Sequence, residues 1–171
     1  MRIIPLAFGL AAMLFAAPVT RAASAEYRQA PCAGDFAHVT NTVSCGLLLV
    51  DETRGSGNGR RVSIPVAVVR ALHPRPGALP VVFLHGGPGD EVISGLPDLL
   101  RSEHWKQFVA QDQDWIFLDQ RGGGLSAPLL DCGTRLLLND AGPLSASAAD
   151  ALVACAARHV AAGVDLSAYN A

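Results

Sequence analysis

The stretch Val81-Val82-Phe83-Leu84-His85-Gly86-Gly87-Pro88-Gly89 joins an apolar run to a glycine-rich turn. Its first four residues have high β propensity and are continuously apolar, which predicts a central, parallel strand with both faces covered. The turn combines little side-chain bulk with wide backbone freedom. Its main-chain N–H groups can therefore approach a ligand closely, as in an oxyanion or phosphate site. A tight strand-to-helix connection without chemistry is the alternative.

A second short apolar run, Trp115 to Leu118, also ends in a glycine-rich turn, Asp119-Gln120-Arg121-Gly122-Gly123-Gly124. Between the two runs, the segment Leu96 to Val109 carries apolar residues among charged ones and predicts a helix. The order strand, helix, strand, with both glycine-rich turns after the strands, is typical of a βαβ unit. Both turns then lie at the same end of the sheet.

The residues upstream predict an antiparallel strand pair. Gly46 to Val50 is one apolar strand, and Arg61 to Leu72 is a second strand in which apolar and smaller residues alternate. The glycine-rich segment from Asp51 to Arg60 between them is a strong hairpin or loop signal. Pro65 cannot donate to a ladder, so we expect the second strand to lie at an edge or to carry a bulge.

The remaining segments complete the predicted fold class. Glu26 to Thr42 shows no clear period and is interpreted as an irregular initial segment, whereas Ser145 to Ala162 is alanine-rich with apolar residues at helical spacing. Gly163 is well placed to end that helix. The prediction is an α/β fold in which an antiparallel strand pair is followed by a parallel βαβ unit, within an incomplete sheet.

Composition excludes several classes of protein. The chain has 171 residues, half of them hydrophobic, and a formal net charge of -2. This profile indicates one globular domain, or part of one, rather than a disordered or fibrous chain. Lys106 is the single lysine and the arginines are scattered, so the sequence predicts no nucleic-acid partner.

The first 25 residues resemble a secretory signal peptide. Arg2 supplies a positive charge, Ile3 to Ala17 is almost wholly apolar, and Ala23-Ser24-Ala25 fits the small-x-small cleavage pattern. We expect cleavage before Glu26 and a mature domain of residues 26–171. A retained anchor is the alternative, but the apolar run is shorter than the roughly 20 residues that span a bilayer. The prediction is an exported protein, periplasmic or secreted, with no stable membrane anchor.

Export makes disulfides the expected state of the four cysteines. Three pairings are possible, and we favour the two local ones, Cys32 with Cys45 and Cys132 with Cys155. A zinc site is the alternative, but the chain has no C-x-x-C and no histidine at ligand spacing. No metal and no other cofactor is predicted.

Two motifs carry a resemblance to a known family. The first is His85-Gly86-Gly87-Pro88-Gly89 after a strand, and the second is Asp119-Gln120-Arg121-Gly122 with Gly124-Leu125-Ser126-Ala127-Pro128 about thirty residues later. Together they resemble the α/β-hydrolase fold of the prolyl aminopeptidase type, which includes secreted tripeptidyl aminopeptidases. The tail from Cys132 through Cys155 to residues 163–170 is similar as well. The resemblance covers about residues 45–171 and only the first half of the family's core.

The resemblance implies acyl transfer by a serine nucleophile, a histidine base and an orienting aspartate. The backbone N–H of Gly87, with that of Gly86 beside it, would stabilise the oxyanion of the intermediate. The other motif residues would shape and hold the loops: His85, Pro88, Gly89, Asp119, Gln120, Arg121 and Gly122. The substrate would be a peptide or a small acyl compound.

The sequence lacks the family's G-x-S-x-G nucleophile elbow. Thr42-Val43-Ser44-Cys45-Gly46 precedes the strand pair, and Gly124-Leu125-Ser126-Ala127-Pro128 ends in proline where an elbow needs glycine. In the family, the elbow would follow Tyr169 by some tens of residues. We therefore expect the chain to be the N-terminal part of a larger exported hydrolase, inactive alone. The sheet edge beside Val81 to Leu84 should then lack its neighbouring strand.

These observations predict a serine aminopeptidase that acts at peptide N-termini in its intact form. An esterase on the same scaffold is one alternative, since fold alone does not fix the substrate. A non-catalytic remnant or binding module is another.

Overall fold

The structure, a computed structural model, describes residues 25–54, 59–86, 90–133 and 146–169. Within these ranges the strands are β1 (Glu26–Gln29), β2 (Val43–Asp51), β3 (Arg61–Val69), β4 (Val81–Leu84) and β5 (Trp115–Leu118). The helices are α1 (Leu96–Arg101), α2 (Ala146–Ala161) and a 3-10 helix (Leu166–Tyr169). Apart from Ala25, the predicted signal peptide lies outside the described residues.

The strands form one mixed five-stranded sheet in the order β1-β2-β3-β5-β4. The long central pair is antiparallel, with Val43 opposite Val69 at one end and Asp51 opposite Arg61 at the other. β1 pairs with β2 and β5 pairs with β3, both antiparallel, whereas β4 and β5 are parallel. The predicted antiparallel pair and the predicted parallel pair are both present, but most of the sheet is antiparallel.

Side chains alternate between the two faces of the sheet and form one apolar cluster on each. On the first face, Phe117 is fully buried and packs with α1 and the segments that flank it. This cluster includes Cys45, Ala67, Val69, Val92, Ile93, Leu96, Leu100, Val109 and Ala110. The opposite face carries a smaller cluster built on Val62, Ile64 and Val66, against which Tyr169 packs. The 3-10 helix therefore covers part of the second face.

The position of β4 differs from the sequence prediction. β4 is parallel to β5, as expected, but within the described residues it is the outermost strand of the sheet rather than a central one. Val82 and Leu84 are consequently 53% and 66% exposed. No strand of the described ranges pairs with the outer side of β4.

The edge position predicted from Pro65 is wrong, because β3 lies between β2 and β5. The residue is buried and faces Leu47 of β2 in the register. Its carbonyl accepts a bond from the N–H of Asp119, at 3.4 Å, on the side where the ladder with β5 has ended. The N–H and C=O of a strand residue point to the same side of the strand. The N–H that Pro65 lacks would therefore point toward the side of β5, beyond the end of that ladder, and no ladder bond is lost.

Other segments differ in length. Glu26–Gln29, within the segment expected to be irregular, forms β1 and pairs with Gly46 to Leu49. α1 ends at Arg101, well before the predicted Val109, and Ser102 closes it with extended backbone and bonds to the carbonyls of Asp98 and Leu99. β3 ends at Val69, whereas α2 agrees with its prediction within one residue at each end.

Both predicted disulfides are confirmed. Cys32 is bonded to Cys45 with their Cα atoms 5.0 Å apart, and Cys132 is bonded to Cys155 with a Cα separation of 5.7 Å. Two disulfides indicate an oxidising compartment. Among the helices of the described ranges, none is long and apolar enough to cross a membrane.

Candidate functional site

The two motif-bearing turns begin side by side at the carboxyl ends of β4 and β5. The strands are parallel and in register from Val81 opposite Trp115 to Leu84 opposite Leu118, so the residues that follow each strand leave the sheet together. The side chain of Gln120 donates from Nε2 to the carbonyl of His85, at 2.8 Å. The second motif therefore holds the backbone of the first.

Asp119 connects the second turn to the loop before α1. Its side chain is 1% exposed, and Oδ1 accepts from the backbone N–H groups of Val92 at 2.8 Å and Ile93 at 3.1 Å. Oδ2 accepts from the N–H of Leu125 at 2.8 Å. Each of these backbone donors is thereby satisfied away from water. In this structure Asp119 positions loops.

The oxyanion residues predicted from sequence are described only in part. Gly86 is exposed at the end of β4, and Gly87, Pro88 and Gly89 lie outside the described residues. The ring of His85 lies 6.1 Å from that of Phe83, and its buried Nδ1 has no hydrogen-bond partner in the described ranges.

Arg121 and Gly122 extend from the second turn to the opposite side of the sheet. Arg121 donates from Nη1 to the carbonyls of Glu52, at 2.9 Å, and Ala168, at 3.3 Å. Gly122 has a φ of +81°, which favours glycine, and a Cβ there would lie 3.0 Å from atoms of Leu130 and Tyr169. These two residues join the turn to β2 and to the 3-10 helix.

Glu52 is a buried acid that the sequence analysis missed. Its side chain is 1% exposed and forms an ion pair with Nε of Arg60 at 3.0 Å. Oε1 accepts from the hydroxyl of Tyr169 at 2.9 Å, and Oε2 from the N–H of Asp165 at 3.3 Å. Burial raises the pKa of Tyr169 to about 12, and the bond to Glu52 adds to the rise. Glu52 thus joins the turn after β2 to the 3-10 helix.

Asp165 completes this network. It accepts bonds from the hydroxyl of Ser167 and, at 2.6 Å, from that of Thr53. These bonds lower the pKa of Asp165. The two acids belong to one connected set of side chains, because the N–H of Asp165 also donates to Glu52.

The two serines in elbow-like sequences do not lie on elbows. Ser44 is the second residue of β2, opposite Val68 and next to the disulfide-bonded Cys45. Ser126 is 4% exposed, and its Oγ has no hydrogen-bond partner in the parts of the chain that are described. Neither serine is hydrogen-bonded to a histidine within those parts.

The second disulfide lies beside a histidine. The sulfur atoms of Cys132 and Cys155 and a ring nitrogen of His159 lie within 4.8 Å of one another. Such a group could hold a metal ion if the sulfurs were thiolates. Both sulfurs are joined to each other, so in this state they are not metal ligands.

No family model matches this chain, and a search of curated proteins finds no match either. The functional argument therefore depends on the motifs and on the geometry of the two turns.

Proposed function

We propose that this chain forms the oxyanion-loop part of an exported serine hydrolase of the α/β-hydrolase type, an aminopeptidase acting at peptide N-termini. The observation that carries the proposal is the bond from Gln120 Nε2 to the carbonyl of His85, between turns that follow two parallel strands. A loop that stabilises an oxyanion must be held in place before the charge forms. Gln120 and Asp119 bond to the residues on either side of this loop, to His85 before it and to Val92 and Ile93 after it, which supports such a role.

The chemical role of the loop follows from its composition. When a nucleophile adds to a substrate carbonyl, the oxygen becomes negatively charged and needs N–H donors at hydrogen-bonding distance. Gly86 and Gly87 have N–H groups and no side chains to obstruct a substrate. Loss of one such donor costs about 3 to 4 kcal/mol in the transition state.

Export is supported by the two disulfides and by the signal-like residues 1–25. A secreted or periplasmic peptidase would meet peptides outside the cytoplasm. Disulfides persist in such compartments and stabilise the fold there.

The proposal places the serine nucleophile, its histidine and the aspartate in polypeptide beyond this sequence. Ser44 lies within a strand and Ser126 is buried away from any histidine partner in the described ranges, so neither supports attack on a substrate. Within the described part of the chain β4 has no neighbour on its outer side, which supports pairing with a further strand. In the family that the motifs resemble, the nucleophile strand occupies this position.

The test is labelling with a fluorophosphonate, which reacts with activated serines. The 171-residue chain and the product of any longer reading frame that continues past Ala171 should be purified and labelled side by side. We expect no label on the chain and strong label on the longer product, at a serine in a G-x-S-x-G sequence. Labelling of the chain itself, abolished by Ser126→Ala or Ser44→Ala, would refute the proposal.

The same preparations separate the substrate classes. Hydrolysis of alanyl or prolyl p-nitroanilide by the longer product supports an aminopeptidase. Hydrolysis of p-nitrophenyl acetate alone indicates an esterase, and absence of label and turnover from both products indicates a non-catalytic module.

A further inference from the structure

An open, polar cleft of about 440 Å³ lies beside the buried Glu52. It is bounded by the turn after β2, the turn after β5 and the 3-10 helix. Its lining residues are Glu52, Thr53, Arg54, Arg121, Ser167 and Ala168. Two of the six are arginines.

Both arginines have donor groups to spare. Arg54 is exposed and makes no hydrogen bond or ion pair with any described residue. Arg121 uses only Nη1, for the carbonyls of Glu52 and Ala168, so its Nε and Nη2 groups have no partner in the described ranges. Those backbone bonds fix the plane of the Arg121 guanidinium against the wall of the cleft.

The acids nearby do not cancel this charge. Glu52 is paired with Arg60, and Asp165 accepts bonds from Thr53 and Ser167. With Arg54 and Arg121 added, three guanidinium groups face two carboxylates. These five groups therefore carry one net positive charge.

We propose that this cleft binds an anionic group, a carboxylate or a phosphate carried by a small ligand, between Arg54 and Arg121. A guanidinium presents donors in a fork that matches two oxygens of either group. Arg121 is already held in place, so little of its side-chain freedom is lost on binding, and Arg54 closes on the anion from solvent. The site does not depend on the proposed hydrolase activity.

Titration calorimetry of the purified chain tests the proposal, with inorganic phosphate and succinate as separate probes. We expect saturable binding of at least one probe; which one binds identifies the class of anion. Arg54→Gln should weaken that binding about tenfold, the loss of one charge-assisted contact. Arg121→Lys keeps the positive charge but removes the planar pair of N–H donors, and it should weaken binding as well.

Arg75→Gln is the matched control, because Arg75 pairs with Asp112 at the other end of β5. It should leave the affinity unchanged. Arg54 makes no contact that the fold requires, so its variant remains informative even if Arg121→Lys is destabilised. Absence of binding by both probes, or equal weakening by Arg54→Gln and Arg75→Gln, would overturn the proposal.

Discussion

Two acids, Asp119 and Glu52, are buried in the described part of the chain, and each is satisfied in a different way. Asp119 accepts three backbone N–H donors, whereas Glu52 combines an ion pair with bonds from Tyr169 and Asp165. Removal of one partner from a buried polar group costs more than the intact contact contributes. Both positions should therefore tolerate substitution poorly.

Asp119→Asn is predicted to destabilise the chain by about 2 kcal/mol. The amide oxygen can still accept from Val92 and Ile93, but the amide NH2 group then faces the N–H of Leu125, which loses its acceptor. Urea unfolding measures the change in the free energy of unfolding.

Asp131→Asn is the control for that measurement. Asp131 is exposed and accepts a single bond, from the N–H of Gly133 at 2.7 Å. We expect a change within about 0.5 kcal/mol. Equal effects of the two substitutions would show that burial of Asp119 does not matter.

Tyr169 is predicted to make stability depend on pH in the alkaline range. The folded pKa is raised to about 12, above the value near 10 of an unfolded tyrosine. The neutral hydroxyl therefore favours the fold fully below pH 10, and this contribution is lost as the pH rises through 12. Tyr169→Phe should flatten the fall in stability over this interval, measured by urea unfolding at stepped pH.

Tyr27→Phe serves as the control, because Tyr27 is 51% exposed on β1 and is not part of the Glu52 network. Its profile should keep the alkaline fall of the unchanged chain. Identical profiles for all three proteins would contradict the assigned role of Tyr169.

At the scale of elements, β4 is the outermost strand on one side of the sheet among the described residues. Val82 and Leu84 project from one face of this edge strand at 53% and 66% exposure. An apolar strand with unpaired backbone groups can pair with another chain. The isolated chain is therefore expected to associate through β4.

The double substitution Val82→Lys/Leu84→Lys is predicted to slow aggregation of the chain. Charged side chains on an edge oppose pairing with a second strand. Because both residues are largely exposed, the free energy of unfolding should change by less than about 1 kcal/mol. Light scattering at constant temperature gives the rate.

Val153→Lys adds charge at a 70% exposed position on α2, away from any strand edge. It should leave the aggregation rate unchanged. If Val153→Lys slows aggregation as much as the edge variant, the outer edge of β4 does not govern association.

Elements with a strong local pattern could be predicted from the sequence, and those that depend on a partner could not. The apolar runs of β2, β3, β4 and β5 and the periodicity of α2 are local properties. β1 carries Glu26, Arg28 and Gln29, mostly exposed, and becomes a strand only because the edge of β2 is available. Pro65 is likewise tolerated inside the sheet because the ladder between β3 and β5 ends at the neighbouring Val66.

The same distinction applies to the site. The contact of Gln120 with His85 follows from two motifs after adjacent strands, and sequence reasoning could bring these residues together. Glu52 contacts Asp165 and Tyr169, which lie more than a hundred residues later in the chain. No motif or spacing in the sequence indicates these contacts. A lone acid next to a glycine-rich loop is normally solvent-exposed.

At the scale of the whole molecule, the sheet brings the starts of the two motif turns together, and no strand of the described residues pairs with the outer side of β4. Gln120 bonds to the start of the first motif turn, and neither Ser44 nor Ser126 is hydrogen-bonded to a histidine within the described ranges. Catalysis would then depend on polypeptide that pairs with β4 and supplies the nucleophile.

The most direct measurement is the kcat for alanyl p-nitroanilide of the longer reading-frame product, with and without Gly87→Pro. Proline removes one backbone N–H, so we expect kcat to fall by about a hundredfold or more with the unfolding midpoint preserved. A kcat within about threefold of the unchanged protein, at the same midpoint, would contradict the claim that this turn stabilises the oxyanion.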